Sequence, residues 1–244
     1  MDIKLDALIE AHIQSEGLRK KRRIGHYWAS DAGKCKRQVY YTFTNPKVFA
    51  PSKLRTFKIG TILHEYVQGV LKSLSGTKFS EVWNEKYVMV TDVETDFVIT
   101  GRIDTFLTSM DESDPSVILE FKSENERSFS YRKQVPYAHK CQLTLYMRSQ
   151  RIPYGYVVYI NKSTMEFNAI KVEYSEALFK SIMRNIRDIH WHLQNSKLPP
   201  KSFKEAWECR YCPWSDDCKK TENPALHDRL FPKKENGGSD DNKT

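Results

Sequence analysis

Apolar residues along the chain follow two periods, and the switches between them mark out its elements. Ile3, Leu5, Leu8, Ile9 and Ile13 recur close to helical spacing within the first 16 residues. Leu54, Phe57, Ile62, Tyr66, Val70 and Leu74 repeat that spacing and predict a longer helix over 53–74. From Glu81 the pattern becomes strand-like. VWNEKYVMV and FVITGRIDTFL flank a polar turn at 91–96, and the polar hairpin SMDESDPS leads into a third strand, VILEFKSE, at 117–124. Residues 137–150 read as a helix bounded upstream by Pro136. YGYVVYI and FNAIKVEY read as strands, and 175–195 as an amphipathic helix that stops before Pro199 and Pro200. Helices, three antiparallel-capable strands, a helix, one or two strands and a helix predict an α/β sandwich around a small mixed sheet. One domain over 1–232 is expected, with a polar, glycine-containing tail at 233–244 expected to be disordered. There is no internal repeat.

Two letters interrupt the third strand. Side chains alternate across a strand, so Glu120 and Lys122 share one face while Leu119 and Phe121 share the other. A carboxylate and an ammonium removed together from water cost several kcal/mol unless compensated. They either pair, as in a salt-bridge ladder on an exposed face, or serve a site that uses their charge.

Composition narrows the choice. The 244 residues are 39% hydrophobic and 29% charged, which fits a soluble globular protein with ample material for a core. No apolar stretch approaches the roughly 18 to 20 residues of a membrane span, and the N-terminus lacks a secretory pattern. A reducing, cytoplasmic setting is expected, with no membrane partner. The five cysteines then read as metal-binding, catalytic or buried thiols. A net charge of +8 suits a polyanionic partner, and LRKKRR at 18–23 is either a solvated charge run or a phosphate-contacting patch. No G-x-x-x-x-G-K-[ST] loop is present, so nothing points to ATP.

GRID at 101–104 lies one turn upstream of VILEFKSE, and adjacent strands commonly pair, so Asp104 is expected beside Glu120. Converging carboxylates repel, and Mg²⁺ or Mn²⁺, which prefer hard oxygen ligands, would resolve that repulsion. Lys122 on the same face would then position or deprotonate a metal-bound water. In GTILHE, His64 stands on the long helix as a candidate further ligand, and in QLTLY, Gln142 and Tyr146 lie one helical turn apart.

In this order, G-x-x-x-H, G-x-I-D, E-x-K and Q-x-x-x-Y resemble the PD-(D/E)XK nucleases of the RecB-like branch, with Ile103 where the family name has proline. The resemblance runs from Gly60 to Tyr146. It implies a restriction-endonuclease-like core, a small mixed sheet flanked by helices. It also implies hydrolysis of DNA phosphodiesters by a metal held at His64, Asp104, Glu120 and the backbone carbonyl of Phe121. Lys122 would assist the attacking water, and Gln142 and Tyr146 would shape the site and contact DNA.

WECRYCPWSDDC supplies Cys209, Cys212 and Cys218 in C-x2-C-x5-C spacing. Three thiols do not fill a four-ligand site, and the candidates for a fourth are Cys35 and Cys141, of which Cys141 reads as an ordinary buried cysteine. Spacing alone leaves zinc and iron–sulfur equally open. An early cysteine followed by K/R-x-x-Y, then a late C-x2-C-x5-C, resembles the iron–sulfur-stapled members of that branch, which include CRISPR-associated single-domain exonucleases and the AddB nuclease domain. That resemblance implies a cluster on Cys35, Cys209, Cys212 and Cys218, [4Fe–4S] in preference to [2Fe–2S], joining the N- and C-terminal segments. Trp207, Tyr211, Pro213 and Trp214 either shield the cluster or form local core. His190 and His192, at i and i+2 on a helix, point apart and are set aside as a metal pair.

The resemblance further implies exonuclease action that prefers single-stranded DNA, mainly 5′ to 3′, in CRISPR adaptation or in viral or host recombination and repair. Lys20, Lys21, Arg22, Arg23, Arg127, Arg132 and Lys133 are candidates for tracking the DNA backbone. The alternatives are a subunit active only with an integrase or recombination complex, and a zinc-stapled DNA-binding protein with a decayed site.

Overall fold

The computed structural model describes residues 4–16, 22–47, 49–111, 113–204 and 206–221. Lys20, Lys21 and the tail at 233–244 lie outside them. The chain divides into two compact units, Met1–Lys201 and Ser202–Thr244.

The first unit opens with α1 (Leu5–Glu16), a short strand β1 (His26–Trp28), a 3₁₀ turn at Ala29–Asp31, α2 (Lys36–Thr44) and the long α3 (Pro51–Ser73). The strands β2 (Glu81–Asp92), β3 (Phe97–Thr108) and β4 (Val117–Glu124) follow. Next come α4 (Glu126–Ser130), α5 (Tyr137–Gln150), β5 (Tyr154–Asn161), β6 (Phe167–Glu173) and α6 (Glu176–Gln194). The second unit contains α7 (Ala206–Arg210) and α8 (Ser215–Lys220).

Six strands form one mixed sheet in the order β1-β3-β4-β5-β6, with β2 also paired to β3. β3 is the hub. It is antiparallel to β2 along its length, parallel to β1 over Val98–Thr100, and antiparallel to β4 only over Thr105–Leu107. β4 and β5 are parallel, with α4 and α5 in the crossover between them, and β6 returns antiparallel. The expected strands are all present. β1 escaped the sequence reading because three residues carry too little period to register, and α2 because only its tertiary setting explains its buried Arg37, whose Nε donates to the Pro199 carbonyl at 2.9 Å.

Two packed layers hold the sheet. Val67 of α3 buries against Phe121, Val158 and Ile160, with Leu63 and Leu71 completing the contact. On α6, Ile182, Met183, Ile186, Ile189 and Leu193 are buried at helical spacing, and Ser175 caps the helix by accepting from the Leu178 N–H at 3.2 Å. Each such apolar side chain contributes about 1.5–3 kcal/mol on burial. α5 is different: residues 141–147 are buried without a break, so it runs through the interior. Gly33 lets the chain after the 3₁₀ turn press onto α5. Its φ is +79°, and a Cβ there would stand 2.7 Å from the Ala138 Cα.

Candidate active site

The ladder between β3 and β4 stops at Thr105 opposite Leu119. Asp104 and Glu120 are the next residues on each strand, so they stand where the two strands part. The freed Phe121 N–H does not go unpaired: it donates to Asp104 Oδ2 at 2.7 Å, so a side chain replaces the missing rung. Gln68, one turn beyond His64 on α3, donates its Nε2 to the Asp104 carbonyl at 2.8 Å and to Glu85 Oε1 at 2.9 Å. His64 Nδ1 lies 3.8 Å from Asp104 Oδ2. Three sequence motifs therefore meet at one fork in the sheet, and the fourth joins them through Gln142.

Glu120 is 2% exposed. Its Oε1 accepts from Lys122 Nζ at 2.6 Å and from Gln142 Nε2 at 2.7 Å. Gln142 also donates to Tyr146 Oη at 3.0 Å, and its Oε1 accepts from Lys122 at 3.2 Å. The interior course of α5 explains how Gln142 reaches the carboxylate, with Tyr146 one turn further on held to Gln142. Glu120 Oε2, in contrast, is buried and has no hydrogen-bond partner among the described residues. An orphaned buried carboxylate oxygen costs free energy that the fold recovers only if something binds there.

The charges respond to this crowding. Burial, with the neighbouring Asp104 charge, pushes the Glu120 carboxyl up to about 7 against the opposing pull of Lys122. Burial lifts Asp104 to about 6. Burial works against the Lys122 ammonium, but Glu120 and Asp104 outweigh it and raise its pKa. Burial and then the Lys122 charge keep the His64 imidazole below its ordinary range, so it is neutral and able to ligate. The two carboxylates thus favour the charged form of Lys122.

A model of the PD-(D/E)XK nuclease superfamily matches residues 48–219, which contain this whole constellation. The chain belongs to that superfamily. Its fold is the restriction-endonuclease-like one, and it is similar to the crystal structure of SSO0001, with 21% identity, a TM-score of 0.66 and coverage of 90% of this chain and 98% of that one. Slighter likenesses, at TM-scores of 0.45 and 0.42, link it to LHK-Exo in complex with dAMP (13% identity; 71% of this chain, 90% of that one) and to LHK-Exo, an alkaline exonuclease from Laribacter hongkongensis (12% identity; 76% and 93%). No curated protein matches the chain.

Nucleases of this superfamily generally use Mg²⁺ or Mn²⁺. The residues of this nuclease suit a hard cation: two carboxylates at a strand fork, one of them with an unpartnered buried oxygen, beside a neutral imidazole. As the side chains stand, no group of three or more His, Cys, Asp or Glu among the described residues is arranged as a ready-made ion site. Lys122 and Gln142 occupy one oxygen of Glu120, and Phe121 N–H occupies one of Asp104.

The basic residues separate into two groups. Arg22, read as part of a phosphate-contacting run, has another partner: its Nη2 lies 2.5 Å from Asp31, its Nη1 donates to Thr42 at 3.0 Å, and its side chain is 8% exposed. Arg132 forks onto Glu124 at 2.5 and 3.2 Å and covers the Tyr159 ring. Both are committed to the fold. Arg23, Arg127 and Lys133 are exposed.

Cys35 is buried at the N-cap of α2 in the first unit, and Cys141 is buried on α5. In the second unit, α7 and α8 with the turn between them carry Cys209, Cys212 and Cys218; the Cys212 N–H donates to the Cys209 carbonyl at 3.2 Å. Trp207 and Tyr211 are exposed and Trp214 is buried. His190 and His192 have separate partners: the former meets the Tyr27 hydroxyl at 2.9 Å, the latter the Lys197 carbonyl at 3.0 Å. Gln68 is a further site residue, and its place one helical turn after His64, which puts both on one face of α3, was a usable signal.

Proposed function

We propose that this nuclease is a metal-dependent deoxyribonuclease that degrades DNA from an end, prefers single strands and proceeds 5′ to 3′. The observation that carries the metal-dependent hydrolysis is the unpartnered Oε2 of Glu120 beside Asp104 and Lys122. A divalent ion bound by Asp104, Glu120, His64 and the Phe121 carbonyl would supply Lewis-acid activation and a hydroxide at neutral pH. Lys122 offsets the charge of an incoming phosphate and fixes the Glu120 rotamer. Gln142 locks that rotamer from the other side, and Tyr146, a neutral phenol held by burial, completes the wall. Single-strand preference, polarity and a role in CRISPR adaptation or in recombination and repair rest on the motif resemblance.

On the sequence spacing alone, we further propose an iron–sulfur cluster, [4Fe–4S] in form, on Cys35, Cys209, Cys212 and Cys218. Anaerobically purified protein should be brown and contain iron, and Cys212→Ser should be colourless and less soluble. A Cys212→Ser variant as stable and active as wild type would remove the cluster.

The nuclease assignment is tested with end-labelled single-stranded DNA in Mg²⁺, Mn²⁺ or EDTA, with wild type beside Lys122→Ala. Metal-dependent loss of label that disappears in the variant is expected. Binding without cutting by both proteins would favour a subunit that needs an integrase or recombination partner.

A further inference from the structure

A cleft of about 280 Å³ shares Gln142 and Tyr146 with the carboxylate cluster. Trp28, Tyr87, Thr100 and Arg102 form one side of it, Gln142 and Tyr146 another. The sheet register explains the first group. Trp28 stands opposite Thr100 across β1 and β3, and Tyr87 opposite Arg102 across β2 and β3, so cross-strand pairs bring two rings and a guanidinium together. Gln142 is shared with the catalytic cluster, since its Nε2 also holds Glu120 at 2.7 Å. The cleft and the reacting centre are therefore one side chain apart.

Its lining matches one ligand chemistry. Trp28 is 45% exposed and Tyr87 61% exposed, a large apolar area to leave in water without use. Trp28 is also fixed in place: the Arg22 guanidinium lies 4.1 Å over its ring, and its backbone N–H donates to Asp31 Oδ2 at 3.0 Å. A ring immobilised before the ligand arrives loses little entropy on binding. Arg102 is exposed and, among the described residues, has no carboxylate partner. The volume is just below the roughly 300–1,000 Å³ of small-ligand clefts, which suits one unpaired nucleotide and is far too small for a duplex.

We propose that this cleft is a nucleobase subsite: it takes one unstacked base of the DNA strand against Trp28 and Tyr87, while Arg102 contacts an adjacent phosphate. The inference rests on the deoxyribonuclease reading and adds to it a physical source of preference for unpaired strands, because a paired base cannot enter. It also gives the buried Arg22–Asp31 pair a purpose, as the support that holds Trp28.

The test is equilibrium binding in EDTA of a labelled oligothymidylate and of a set carrying one abasic residue at successive positions. Stacking on one aromatic platform is worth about 10-fold in affinity, so wild type should lose about that factor at one abasic position. Tyr87→Ala, an exposed site whose change spares the core, should lose about 10-fold on the intact strand and nothing more at that abasic position. Tyr87→Phe should bind as wild type. Trp28→Ala should repeat the Tyr87→Ala result, with circular dichroism verifying its fold. Equal binding of intact and abasic strands, or losses from Tyr87→Ala and the abasic residue that simply add, would overturn the subsite. Cleavage in Mg²⁺ is measured in parallel. Cutting without base-dependent binding removes only the subsite, and base-dependent binding without cutting removes only the nuclease reading.

Discussion

Asp92 and Glu120 are both almost wholly buried carboxylates, 4% and 2% exposed, and each has a basic side chain against it. At Asp92, Arg187 donates three hydrogen bonds of 2.6 to 3.1 Å across both oxygens, and Thr95 adds another. Those bonds outweigh the cost of burial and hold the carboxyl below its ordinary range. At Glu120 only one oxygen is satisfied, the other is orphaned, and a second carboxylate stands nearby. The same burial there pushes the carboxyl up to about 7. One cluster has every interaction it needs from the chain. The other is left one ligand short, and the proposed active site rests on that deficit.

The comparison predicts its own largest contrast. Glu120→Gln is nearly isosteric but removes the charge that would bind a cation, so cleavage of labelled DNA in Mg²⁺ should fall at least about 1,000-fold, with thermal stability retained or raised. Lys122→Ala should cost cleavage about 100- to 1,000-fold. Near-normal cutting by Glu120→Gln would mean that the orphaned oxygen has no catalytic use.

Asp92→Ala should do the reverse. It leaves Arg187, which is one-third exposed and can recover some hydration, with only Glu94 at 3.0 Å among the described residues, so the loss should be about 2–3 kcal/mol of stability, below the roughly 3–5 kcal/mol of a fully buried pair. Urea unfolding measures it, and cleavage per folded molecule should stay at the wild-type level. A stable Asp92→Ala variant would show that satisfied and unsatisfied carboxylates contribute alike.

Much of this was legible in the sequence, for a physical reason. Long elements such as α6 and the β2–β3 hairpin declare themselves by period, and Glu120 and Lys122 stand out as the letters that break it. The helix α3 is present, but the face expected to be buried is not: Phe57, Ile62, Tyr66 and Val70 are exposed, and Leu63, Val67 and Leu71 face the sheet instead, because a helix with apolar residues on several sides does not announce which side the sheet will cover. What could not be read depends on contacts between distant segments. The parallel pairing of β1 with β3, which places Trp28 opposite Thr100, has no local signature in three residues. Arg22 looked like part of a solvated basic run because nothing near it in the chain announces Asp31 and the Trp28 and Phe43 rings on either side of it. Asp92, similarly, fell in a stretch that reads as a polar turn, and its partner lies 95 residues away.

The smallest expected effect separates the two clusters by pH. A carboxyl whose folded pKa is depressed contributes stability above its unfolded pKa and loses it in acid, so the Asp92 contribution is lost as pH falls below about 4. A carboxyl whose folded pKa is raised does the opposite: the folded state holds its proton longer, and stability falls as pH rises from the ordinary 4.5 to about 7 for Glu120 and from 3.8 to about 6 for Asp104. The buried neutral histidines His64, His139 and His190, all lowered by desolvation, slope the other way near their ordinary 6.5 and would mask this in wild type alone. The difference between Glu120→Gln and wild type cancels them. In EDTA the variant's advantage in Tm should therefore be near zero at pH 4.5 and grow as pH rises towards 8. Mg²⁺ should close that gap by stabilising wild type alone. An offset independent of pH would mean that Glu120 carries its charge in the fold without strain, and the contrast with Asp92 would be lost.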